Sequence, residues 1–272
     1  MPDTQAPTLS DDLRSKLELL AFRDLEQGIK NKFLSDSQRT EKFSFLFNNV
    51  HVDFSKTHIS DELVQAYLLL AEQRSFNQAR HDLFVGEEIN VTEGRTVLHT
   101  LLRDVDNQGI ACKDPLFQRQ AKESETLFLE QYKLIQKRLE QRVTPVRDII
   151  HVGIGGSSLG TQLLFESLVG LGSSMRIHFI GNIDAHQLIA VLDQCRVEST
   201  LVIGVSKTFT TAETLQNLDS IASWFVAHAN QDFMQSFYAV TAQPENAAIY
   251  GVSDRNVVTF PQWVGGRYSV WS

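Results

Sequence analysis

Residues 149–160 read IIHVGIGGSSLG, and residues 201–211 read LVIGVSKTFTT. Each stretch opens on consecutive apolar residues, 149–152 and 201–205, then passes through a short polar loop into a helical pattern, 161–168 after the first and from about Ala212 after the second. Unbroken apolar runs, rather than alternation, are what parallel strands buried on both faces require. Outward from these two, the runs 177–180, 237–240 and 257–260 repeat the same rhythm from about Thr144 onward. The expected fold class is therefore α/β, with a doubly wound, mostly parallel sheet flanked by helices. Such sheets bind ligands beyond the carboxyl ends of their strands. Both polar loops occupy that position.

Upstream the pattern is mainly helical. Leu9, Leu13, Leu17 and Leu20 recur every three or four residues behind Ser10, Asp11 and Asp12, the signature of a capped amphipathic helix. Val50, Val52 and Phe54 alternate with His51, Asp53 and Ser55, which predicts a half-buried strand. Ser60, Asp61 and Glu62 open another helix, carrying Leu63, Tyr67, Leu70 and Ala71. A long helix over 115–142 is expected to bury Phe117, Ala121, Phe128, Tyr132, Ile135 and Leu139.

Composition narrows the function. The chain has 272 residues, 42% of them hydrophobic, enough for a substantial core. A formal net charge of −8 disfavours a nucleic-acid partner, which needs a broad basic surface. No apolar run suggests a membrane span or a secretory leader, so a cytoplasmic protein is expected. Cys112 and Cys195 stand far apart without a CxxC pair and read as reduced, buried thiols. The eight histidines show no metal-binding spacing. They read as structural or surface residues.

The loops carry the chemistry. Gly153, Gly155 and Gly156 precede Ser157 and Ser158, so backbone N–H groups at a helix start are able to approach a ligand closely. A tight turn without a ligand accounts for the same spacing. Neither nucleotide fingerprint fits, because no Gly-Lys-Ser/Thr follows and Ser158 stands where GxGxxG has its third glycine. In the second loop Ser206, Lys207, Thr208, Thr210 and Thr211 set four hydroxyls and one ammonium at a helix start, a donor set suited to a phosphate monoester. A capping box of Thr210 with Glu213 explains only those two residues. Arg267, behind Gly265 and Gly266, follows the last strand-like run. A guanidinium there would stabilise charge developing on oxygen, an effect typically worth about 10²–10³ in rate, although a surface arginine is the simpler alternative.

Four motifs together, NVTEGRTVLHTLLR (90–103), VGIGGSSLG (152–160), VSKTFTTAETL (205–215) and WVGGRYSVWS (263–272), closely resemble the glucose-6-phosphate isomerase, or phosphoglucose isomerase, family. The resemblance covers nearly the whole chain in the family's order. It implies a sugar-isomerase (SIS-type) domain over 115–272, preceded by a helical segment, 1–114, belonging to the family's larger domain. It implies Ser206, Lys207, Thr208 and Thr211 on the substrate phosphate, Gly156, Ser157 and Gly266 on the sugar, and Arg267 on the enediolate. The implied reaction interconverts glucose 6-phosphate and fructose 6-phosphate through ring opening and a cis-enediol. A small-molecule sugar phosphate is the expected ligand, with no cofactor and no metal, and the family's complete enzyme is expected to be a homodimer.

Two departures qualify the resemblance. Ser158 stands where many members carry aspartate. The family's general-base glutamate, ring-opening histidine and C-terminal lysine lie downstream of the GGR motif, beyond these 272 residues, and none of Glu87, Glu88, Glu93 or Glu213 falls at the base position. The expectation is an N-terminal portion of an isomerase that binds sugar phosphate weakly and turns it over negligibly. The competing reading is a non-catalytic SIS module that binds sugar phosphate. In an enzyme portion the apolar faces of Leu13, Leu17, Phe45 and Phe47 are expected to be exposed.

Overall fold

The computed structural model describes residues 10–103, 112, 114–168, 175–229, 233–266 and 270. The chain divides into two compact units, residues 1–81 and 82–272. Each has its own core.

In the first unit, helix α1 (Asp11–Ser35) starts where Ser10 accepts the Leu13 amide, a side-chain cap satisfying one of the four unpaired N–H groups of the first turn. Gly28 breaks the helical geometry inside it with φ 72°. Leu13 and Leu20 are buried against Leu63 and Ala66 of α3 (Asp61–Gln73), with Leu17 partly covered in the same cluster. Leu13 and Leu17 are thus not the exposed apolar face that the sequence suggested, whereas Phe45 and Phe47 are exposed. Leu9 lies outside the described residues. Between the helices, α2 (Arg39–Phe43) leads into an antiparallel hairpin of β1 (Ser44–Phe47) and β2 (Val50–Asp53). The alternation at Val50 and Phe54 does not bury them: both are exposed, because a two-stranded ribbon offers no second layer over that face. Helix α4 (Phe76–Val85) contains the division between the units.

The second unit carries the sheet. Its five strands, β3 (Asp148–Val152), β4 (Arg176–Ile180), β5 (Thr200–Val205), β6 (Phe237–Thr241) and β7 (Val257–Thr259), are all parallel and lie in the order β4-β3-β5-β6-β7. The strands match the five apolar runs within a residue or two. Alternate residues of β3 serve opposite faces. Ile150 and Val152 join the main core with Leu218, Ile221 and Phe225 of α8 (Ala212–Ala229). His151 instead meets Phe179, which in turn contacts Phe165 of α6 (Leu159–Leu168). Helices therefore cover both faces of the central strands, which is why those strands are mostly apolar. Gly204 in β5 is set by packing, since a Cβ there would lie 2.9 Å from the Phe237 ring and 3.0 Å from Leu218.

Among the described residues the unit also contains α5 (Pro115–Glu140), α7 (Ala185–Leu192) and α9 (Pro244–Ile249). Along α5 only part of the expected stripe is covered: Ala121 is buried and Phe117 partly so, whereas Phe128 and Tyr132 stay about half exposed. A smaller core of Leu98, Leu101, Ala121 and Trp263 ties the segment before α5 to the segment after β7. No helix among the described residues is long and apolar enough to cross a membrane.

Candidate functional site

The strand order reverses between β3 and β5: the chain leaves β3 toward β4 on one side, then returns past it to build β5, β6 and β7 on the other. At such a switch point the loops after the two central strands diverge and leave a crevice. Those loops are the glycine-rich stretch after β3 and Ser206 to Thr211 after β5.

The first loop is shaped by close backbone approach. A Cβ on Gly153 would sit 2.6 Å from the Ser157 carbonyl oxygen, and Gly155 holds φ 58°. Gly155–Ser157 forms a single helical turn, and the Gln162 amide returns to the Ser158 carbonyl as α6 begins. Gly160 leaves space for Val270, since a Cβ there would stand 2.9 Å from that side chain.

The second loop is pinned from inside. Ser206 is buried; its hydroxyl bonds Thr211 Oγ1 at 3.0 Å and accepts the Phe209 amide at 3.1 Å. Phe209 takes φ 51°, a strained value for an aromatic residue, with its ring packed between Phe237 and Tyr250. The Lys207 carbonyl accepts the Ala242 amide and the Thr241 hydroxyl, while the Thr208 carbonyl accepts from Asn246. Thr210 donates its hydroxyl to Thr208 Oγ1 at 2.7 Å.

Together with the segment after β7, these loops enclose a cavity of about 630 Å³ at the carboxyl ends of β5, β6 and β7. Of the residues singled out in the sequence, Gly156, Ser157, Lys207 and Gly266 meet on its wall. Ser206, Thr208 and Thr211 sit in the loop but not on that wall. Arg267, with Tyr268 and Ser269, lies outside the described residues. Glu93, set aside in the sequence as a general base, also lines the cavity, 3.0 Å from the Lys207 ammonium. Its place inside the 90–103 motif was the available signal. The Lys207 hydrogen bond holds the Glu93 carboxyl below its ordinary range, assisted by the charge of Arg95.

One other grouping combines metal-ligand residue types, at the opposite end of the sheet. Asp148, His178 and Cys195 bring their ligand atoms within 4.8 Å of one another. Both Asp148 oxygens are already taken by Arg176, at 2.8 and 3.0 Å, and Oδ1 also meets His178 Nε2 at 3.0 Å. Burial pushes the Cys195 thiol up to about 11, so it is protonated at neutral pH and a poor ligand. Both cysteines are free but only partly buried, short of the full burial that the sequence suggested.

Comparison with known proteins decides the family. The phosphoglucose isomerase family model matches residues 53–272. The chain belongs to the phosphoglucose isomerase family. It is 35% identical over 269 residues to glucose-6-phosphate isomerase 1 of Colwellia psychrerythraea, covering 94% of this chain and 48% of that protein. It is 34% identical over 286 residues to glucose-6-phosphate isomerase of Eremothecium gossypii, covering 96% and 50%. The chain thus spans about half the length of the curated relatives it matches. The crystal structure of a glucose-6-phosphate isomerase from Chlamydia trachomatis superposes with a TM-score of 0.71 over 97% of this chain and 50% of that one, at 24% identity. This places the phosphoglucose isomerase fold on the chain.

Proposed function

We propose that this chain forms the sugar-phosphate-binding part of a glucose-6-phosphate isomerase, working in the cytoplasm on glucose 6-phosphate and fructose 6-phosphate, and as a homodimer in its complete form. The observation that carries this reading is the meeting of Lys207, the Gly156–Ser157 turn and Gly266 in one cavity at the switch point of the sheet. Lys207 supplies the point charge for the phosphate, with Ser206, Thr208 and Thr211 shaping its loop and offering hydroxyls. The Gly156 and Ser157 turn, with Gly266, faces the sugar. Arg267 stabilises the enediolate formed when a proton leaves C2 and is returned to C1.

In the family's order the general base, the ring-opening histidine and the lysine lie downstream of Arg267 and are not among these 272 residues. A positioned general base is typically worth about 10²–10⁴ in rate. The 272-residue chain is expected to bind fructose 6-phosphate with millimolar to micromolar affinity and to isomerise it negligibly, as roughly three or four charge-assisted hydrogen bonds allow after association costs. Isothermal titration and a coupled isomerase assay test both statements. Lys207→Met should weaken binding roughly 10- to 100-fold, the loss of one charge-assisted contact. Unchanged binding in that variant contradicts the phosphate assignment of Lys207, and robust turnover by the chain alone overturns the claim that the downstream residues are indispensable. Stable binding with no activity in any longer form of the protein favours the non-catalytic SIS module instead.

A further inference from the structure

Glu93 stands on a turn built to hold it. The backbones of Asn90 and Arg95 bond each other in both directions, at 3.2 and 3.3 Å. Inside the turn Asn90 Oδ1 accepts the Thr92 hydroxyl at 2.8 Å and the Glu93 amide at 3.3 Å. Gly94 closes it with φ 59°. Arg95 Nε approaches Glu93 Oε2 at 3.1 Å, and Arg95 Nη1 donates to the Gln262 carbonyl, fastening the turn to the segment that bears Gly265 and Gly266. The same Glu93 Oε2 lies 3.0 Å from Lys207 Nζ, across 114 residues of sequence.

We propose that Glu93 is a positioning residue for the anion site: its carboxylate holds the Lys207 ammonium at the cavity and is the internal counter-ion that an incoming phosphate must displace. This rests on the phosphate reading of Lys207. Three features of the pair support it. Lys207 is three-quarters covered, so its ammonium has little bulk water to turn to. Glu93 is more open and retains Arg95 as a second partner, so it is able to release the ammonium without being stranded. An anion beside Lys207 must also tolerate the Glu93 charge or push it aside, and a phosphate dianion competes for the ammonium better than a singly charged ion does. Glu93 therefore lowers the affinity of the site for any anion, and lowers it more for the dianion, which it repels about twice as strongly as a monoanion.

The test is titration calorimetry of the 272-residue chain with inorganic phosphate and with fructose 6-phosphate, at a pH where phosphate is mostly monoanionic and at one where it is mostly dianionic. The variants are Glu93→Gln, Lys207→Met and the two combined. Glu93→Gln keeps an acceptor for the ammonium and removes the competing charge. It should bind phosphate roughly three- to tenfold tighter, with the larger gain for the dianion. In the Lys207→Met background the same change should have little effect. Should Glu93→Gln bind more weakly or equally while Lys207→Met still weakens binding, the counter-ion role is wrong and the phosphate reading stands. Should Lys207→Met change nothing, the phosphate reading itself fails. Thermal melts of each variant separate a structural loss, which lowers both stability and affinity, from the expected gain in affinity.

Discussion

Ser206 shows how one hydroxyl defines a loop. Its hydroxyl oxygen receives the Phe209 amide at 3.1 Å, alongside the Ser206 carbonyl at 3.3 Å, just where the backbone turns to positive φ. Ser206→Ala removes the shorter of that amide's two acceptors and the bond to Thr211, and should cost about 0.5–1.5 kcal/mol in urea denaturation, together with weaker phosphate binding as Lys207 loses its register. From the sequence, Ser206, Thr208 and Thr211 look equivalent as ligand donors. Nothing in a run of hydroxyl residues says which is turned inward, because that depends on the φ of Phe209, an exception no spacing rule signals. Glu93 was weighed only as a base and set aside, for a related reason: its partner is distant in sequence, and the pair exists only once the 90–95 turn and the β5 loop are brought to the same end of the sheet.

At the scale of elements, the strands were readable because burial on both faces leaves runs such as 149–152 and 201–205 almost free of polar residues. Their lateral order was not, since five similar runs do not say which neighbours which. The hairpin at 44–53 and the stripe on α5 mark the opposite limit: periodicity identifies a face but not whether anything covers it, and Val50, Phe128 and Tyr132 remain exposed. Packing inside the sheet gives a direct check. Gly204→Ala places a methyl 2.9 Å from the Phe237 ring, where both it and Leu218 are fully buried, and should cost about 1–3 kcal/mol by overpacking, seen as a lower melting temperature. His151 on β3 gives another. Burial lowers its pKa from 6.5 to about 4, so the folded chain refuses a proton that the unfolded chain accepts between those values. This contribution to stability is intact above about pH 6.5 and is lost as the pH falls toward 4, by about 3 kcal/mol in all. Urea midpoints across that range should fall less steeply in His151→Phe than in the parent chain; equal slopes would show that His151 is not held neutral.

At the scale of the whole molecule, the second unit brings Lys207, the Gly156–Ser157 turn and Gly265–Gly266 to one cavity, in a chain that belongs to the phosphoglucose isomerase family. The most direct measurement is a crystal structure of this chain with fructose 6-phosphate. The phosphate should lie within hydrogen-bond distance of Lys207 Nζ, with the sugar over the Gly156–Ser157 turn. An empty cavity at saturating ligand, or a phosphate bound elsewhere with Lys207 still paired to Glu93, would contradict the account.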